Sequence, residues 1–223
     1  GGVSGGAYAS FNVGTRTGDD TAAVAENRAR LQQLLPAAPL WLTQVHGSRV
    51  VTAESAGALC EADACVATEA RRVCAIMVAD CVPVLFTDVK GSVVAAAHAG
   101  WRGLAGGVIR NTVSALNAAG APSGELLAYV GPGIGPRAFE VGPDVLAAFT
   151  AENPEAAAAF VPVTEGKWLA DLFTLVRQAL LRAGVKNIHG GGLCTYSDPA
   201  RFYSYRRDRT TGRMAALIWR ETR

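Results

Sequence analysis

Between Val73 and Ala99 the chain reads "VCAIMVADCVPVLFTDVKGSVVAAAHA", which is mostly buried-strand sequence. Apolar runs at Val73–Val78, Val82–Asp88 and Val93–Ala97 are expected strands, the last two joined by a turn at Lys90-Gly91-Ser92. Asp80 and Cys81 interrupt the series, and His98 closes it. A carboxylate, a thiol and an imidazole in segments built for the core call for an explanation.

The remaining runs fit around these strands. Leu40–Val45, Ala64–Ala67, Leu126–Val130, Val185–His189, Arg201–Arg206 and Met214–Trp219 are also expected strands. The last two, as Phe202–Arg207 and Met214–Trp219, flank Asp208–Arg213 and predict a hairpin. Leu104, Val108, Thr112, Val113 and Leu116 recur at helical spacing, with Gly120 placed to end the helix. A second helix is expected over Leu172–Leu180 before Gly184, a third over Asn27–Leu35 before Pro36, and a short one from Pro143 through Phe149. Strands outnumber helices without regular alternation, so the expected fold class is α+β (mixed α/β), a single layered domain over residues 1–223. With 50% hydrophobic and 18% charged residues, a chain of 223 residues supports a sizeable core and excludes disorder.

Asp, Arg, Gly or Pro breaks every apolar run short of a bilayer span, so no membrane partner is expected. A net charge of +2 gives no general reason to bind nucleic acid. Cys60, Cys65, Cys74, Cys81 and Cys194 are irregularly spaced and odd in number, which suits a reducing cytoplasm rather than a disulfide framework.

His46 stands where an expected strand meets Gly47, and His98 stands before Ala99-Gly100. Two imidazoles and a thiolate suit Zn²⁺, leaving a fourth position for water or substrate. The spacings do not decide this, and two satisfied histidines with a buried thiol are the commoner outcome for such residues. A metal-free alternative makes Cys81 a nucleophile, His98 or His46 its base, and Asp80 an orienting group. Asp80 equally suits a partner to a metal-bound imidazole.

The segments "GGVSGGAYASFNVG", "QVHGSRV", "ADCVPVLFTD", "AAAHAGWRG", "GPGIGPRAFEVG" and "SYRRDRTTGRMA" occur in that order along essentially the whole chain. Together they resemble the laccase-domain or multicopper polyphenol oxidase-like family, in its bacterial cytoplasmic branch. The resemblance implies a layered α/β unit, a short segment ahead of Gly1, and zinc ligands at His46, Cys81 and His98. It further implies purine nucleoside phosphorolysis (adenosine, inosine, methylthioadenosine) with adenosine deaminase activity. The alternative is removal of Ser from the peptidoglycan precursor UDP-MurNAc-Ser; an alternative of another class is nucleotide binding without turnover. Copper oxidase chemistry fits poorly, because three histidines cannot ligate a type 1 copper and a trinuclear cluster. Cu²⁺ binding in vitro, with incidental phenol oxidation, remains compatible with a His₂Cys set.

Phosphorolysis requires phosphate held against an anomeric carbon, a task for arginines. Arg49 follows the His46 turn and Arg102 follows His98, so both are candidate anion contacts. The resemblance adds Asn12, Tyr203, Ser204 and Arg206 as candidate substrate contacts. "GPGIGPRAF" fails the dinucleotide fingerprint at Pro136. The expected partners are thus a small-molecule substrate and phosphate, with the protein a monomer or homodimer.

Overall fold

The computed structural model describes residues 1–57 and 59–222. In chain order its elements are α1 (Thr21–Gln32), β1 (Pro39–Trp41), β2 (Val50–Thr52), β3 (Ala64–Ala67), β4 (Val73–Val78), β5 (Val82–Asp88) and β6 (Val94–Ala99). Then come α2 (Trp101–Ala105), α3 (Val108–Ala118), β7 (Leu126–Val130), β8 (Glu140–Val141), α4 (Pro143–Thr150), β9 (Phe160–Thr164) and β10 (Lys167–Ala170). The chain ends with α5 (Leu172–Arg182), β11 (Asn187–Gly190), α6 (Tyr205–Asp208) and β12 (Met214–Ile218).

The central sheet has the order β11-β7-β5-β6-β3-β2, and mixed pairing makes the fold mixed α/β as expected. A second sheet has the order β1-β4-β12, and a third, smaller one has β8-β10-β9. Side-chain alternation explains why the central strands read as unbroken apolar runs. On β6, Ala95, Ala97 and Ala99 pack with helix residues such as Ile109, Leu116 and Leu180. Val94 and Ala96 pack the other way, against Ile76 and Val78 of β4. Both faces are therefore covered, one by helices and one by a sheet. Full burial of Phe86 or Ile109 stabilises this arrangement by about 1.5–3 kcal/mol each.

Local chemistry sets the turns. Asp88 ends β5 by accepting from the Ser92 amide at 2.6 Å, the Ser92 hydroxyl at 2.7 Å and the Val93 amide at 3.1 Å. Asp20 caps α1, accepting from the Ala22 amide at 2.9 Å, so this helix begins six residues before the expected Asn27. The expected helix through Leu104 and Leu116 is two helices, because Gly107 adopts φ 89° and separates α2 from α3.

The expected C-terminal hairpin does not form. Residues 205–208 are the short helix α6, capped by Ser204, and β12 pairs antiparallel with β4 instead. Burial decides between the partners: β4 is the buried middle strand of the second sheet, and pairing with it lets Met214 and Ile218 of β12 pack on the core.

Candidate metal centre and its cavity

His98 lies on β6 opposite Pro83 of β5, and period-two alternation turns it away from the helices, into the layer between the two larger sheets. Cys81 stands two residues before Pro83, on the same side, where the chain crosses from β4 to β5. His46 arrives from the β1 side. The Gln44 side chain exchanges two hydrogen bonds with the Met77 backbone, at 2.8 and 2.9 Å, and carries the chain along β4 to the turn at His46.

The three residues converge. One ligand atom from each of His46, Cys81 and His98 lies within 4.8 Å of the other two. The imidazole centroids are 4.9 Å apart with ring planes at 71°. Gly100 borders the cluster: a Cβ there would sit 2.9 Å from Cys81 Sγ and 3.0 Å from His46 Cδ2. Gly103 lets α2 pack on the His46 turn, since a Cβ there would lie 2.5 Å from the Gly47 carbonyl oxygen.

Burial alone would drive the Cys81 thiol up, but the charge of His98 and hydrogen bonds from both imidazoles bring it down to about 6. Burial opposes charge on His98, yet the Cys81 thiolate and Asp63 lift it to about 9. Each group thus favours the charged form of the other, a thiolate beside an imidazolium, and a divalent cation would take the place of the shared proton. Two nitrogens and a soft sulfur at this separation fit a zinc-type centre with one side open.

That side opens on a cavity of about 910 Å³. Arg16, Arg28, Arg102, Arg206 and Arg213 line it, together with Trp41, Trp101, Phe139 and Tyr205. Arg28 stacks on Trp41 at 4.2 Å, Arg102 on Trp101 at 4.6 Å and Arg206 on Phe139 at 5.2 Å. Asp80 is the single carboxylate among the lining residues. None of the five guanidinium groups forms an ion pair among the described residues; the oxygens accepting from the side chains of Arg28, Arg206 and Arg213 are backbone carbonyls. The cavity therefore presents positive charge and aromatic faces together.

The other candidate contacts divide. Arg102 and Arg206 line the cavity, whereas the exposed Arg49 is not among its lining residues. Asn12 is buried and joins the N-terminal loop to Arg213, accepting from its amide at 2.8 Å and donating to Asp19 at 2.9 Å. Ser204 is buried as the cap of α6. Tyr203 lines a different cavity and donates to the Tyr8 carbonyl, and burial pushes its phenol up to about 12. Asp80, at φ 89°, accepts from the Thr195 hydroxyl and the Arg206 amide, both at 2.6 Å. The carboxylate bonded to an imidazole is instead Asp63, which accepts from His98 Nδ1 at 2.9 Å. Asp63 and Arg28 are cluster and cavity residues that sequence reasoning missed.

The profile of the multi-copper polyphenol oxidoreductase laccase family matches residues 1–221. This chain belongs to that family. Within it, a Pseudomonas aeruginosa protein named purine nucleoside phosphorylase is 52% identical over 98% of this chain and 89% of its own length. Purine nucleoside phosphorylase YfiH of Escherichia coli is 50% identical over 98% of this chain and 90% of its own. The crystal structure of a Neisseria meningitidis protein, 51% identical, superposes with a TM-score of 0.95, covering 100% of this chain and 91% of that one. YlmD from Geobacillus stearothermophilus is 33% identical with a TM-score of 0.91. Among the described residues of this laccase-family chain, no helix is long and apolar enough to cross a membrane.

Proposed function

We propose that this protein is a zinc-dependent purine nucleoside phosphorylase. One observation carries the reading: a His₂Cys cluster opens into a cavity that offers both arginines without carboxylate partners and aromatic faces. The names of its relatives, at about half identity over nearly the whole chain, point the same way. A purine stacks on an aromatic or guanidinium face, and a phosphate takes paired hydrogen bonds from arginine. In phosphorolysis a phosphate oxygen bonds to the anomeric carbon as the glycosidic C–N bond breaks. The bond pair leaves with the base, and the proton of hydrogen phosphate ends on it.

His46, Cys81 and His98 would hold the zinc, which would supply Lewis-acid chemistry beside the cavity. The residues around it bind and orient. Arg102 and Arg206 each sit over an aromatic ring that lines the cavity, which keeps their charge there. The five free thiols suit a cytoplasmic enzyme.

Protein purified without chelator should contain zinc rather than copper, and should convert inosine or adenosine to free base and ribose 1-phosphate only when phosphate is present. Cys81→Ala should lose zinc and base release together. Full base release by that metal-free variant would overturn the reading, as would ammonia or an amide-cleavage product appearing in its place.

A further inference from the structure

The Asp63 carboxylate lies beneath the cluster, is fully buried and stands at the entry to β3. Its Oδ1 accepts from the His46 amide at 2.9 Å and lies 2.9 Å from His98 Nδ1. Its Oδ2 accepts from the Val45 amide at 3.2 Å and the Gly47 amide at 2.7 Å. Four donors thus converge on one carboxylate, filling its acceptor capacity. The Asp63 carbonyl also accepts from the His98 amide at 2.7 Å, so His98 is bound to this residue through both backbone and ring.

We propose that Asp63 is the positioning residue of the metal centre and presets both imidazoles at once. This rests on the metal-site reading above. On the His98 side, an ionised carboxylate only accepts, so Nδ1 carries the proton and Nε2 keeps its lone pair for the cation. On the His46 side, the residue adopts φ 60°, a conformation that costs a non-glycine residue free energy unless its surroundings hold it. Three successive amides, from Val45 to Gly47, point at the same carboxylate and hold that turn. Asp63 therefore couples a side-chain tautomer on β6 to a backbone turn after β1, two segments that share no strand pairing.

Asp63→Asn separates these functions at nearly constant volume. The amide has one oxygen for four donors, and its NH₂ must face either the imidazole or the turn. Facing His98, it donates to Nδ1 and drives the proton to Nε2, where the cation should bind; facing the turn, it meets amides that also donate.

Zinc affinity, measured by competition with a chromophoric chelator on wild type, Asp63→Asn and Cys81→Ala, tests the proposal. Asp63→Asn should bind zinc about 10–100-fold more weakly than wild type. Excess zinc should restore base release to Asp63→Asn but not to Cys81→Ala. Long-range ¹H–¹⁵N spectra of the zinc-loaded wild type, which need no variant to fold, should show His98 protonated at Nδ1. Coordination of His98 through Nδ1 overturns the proposal. So does loss of zinc by Cys81→Ala while Asp63→Asn binds within about twofold of wild type. Equal zinc binding by wild type and Cys81→Ala overturns the metal-site reading itself.

Discussion

The backbone amide of Arg206 donates to Asp80 Oδ2 at 2.6 Å, so the residue beside Cys81 holds the start of α6. The other oxygen of Asp80 accepts from Thr195 at 2.6 Å, in the loop after β11. Asp80 thus fastens two distant segments to the β4–β5 crossing and aims Arg206 into the cavity.

Asp80→Gly tests that role. Glycine accepts the φ of 89° but leaves the Arg206 amide and the Thr195 hydroxyl without their acceptor. A stability loss of about 1–3 kcal/mol is expected in urea unfolding. Zinc content should hold while KM for nucleoside or phosphate rises. Loss of zinc would instead place Asp80 in the support of the metal.

Gly100→Ala should act on the cluster while sparing the core. The added methyl falls 2.9 Å from Cys81 Sγ and 3.0 Å from His46 Cδ2, so a ligand must shift. Weaker zinc binding with an unchanged far-ultraviolet circular dichroism spectrum is the expected result. Wild-type affinity would mean that the cluster yields more freely than its packing suggests.

Cys81 should become accessible when zinc is removed. Chelated protein treated with iodoacetamide should gain label at Cys81, and saturating zinc should suppress it, because the lone pair that attacks carbon is the one that would bind metal. Peptide mass analysis checks this; identical labelling with and without zinc contradicts Cys81 as a ligand.

The β5–β6 turn gives a pH-dependent prediction. Burial opposes ionisation of Asp88, but the Ser92 hydroxyl and the Val93 and Ser92 amides outweigh it and hold the carboxyl below the ordinary aspartate range. A depressed folded value means stabilisation that is complete above the unfolded value and lost as pH falls through the folded one. Asp88→Asn should therefore be less stable than wild type at pH 7, and the gap should narrow below about pH 4. Chemical denaturation at both pH values measures it; a gap that widens in acid would reverse the sign.

His46, Cys81 and His98 were conspicuous because each breaks an apolar run or closes a strand, but only the ordered motifs around them, and the family these resemble, made them a candidate ligand set. Asp63 was not. In "EADACVA" it reads as an ordinary carboxylate near a strand start, and its partners lie 16 to 35 residues away. The hairpin expectation failed for a related reason: local turn residues suggested a neighbour, while burial paired β12 with β4 across more than half the chain. Arg28 escaped notice because α1 mixes small and polar residues without a clear apolar stripe, and only the fold lays its guanidinium over Trp41.

The three proposed ligands come from separate parts of the architecture: the turn after β1, the crossing between two sheets and strand β6. The β5–β6 hairpin holds Cys81 and His98, and His46 joins them from the turn after β1, whose strand belongs to the β1-β4-β12 sheet. The complete three-residue cluster is therefore a property of the assembled layers. A collapsed intermediate with its strands formed and its sheets still undocked would be blind to zinc, so metal capture during refolding should mark the moment of interlayer closure.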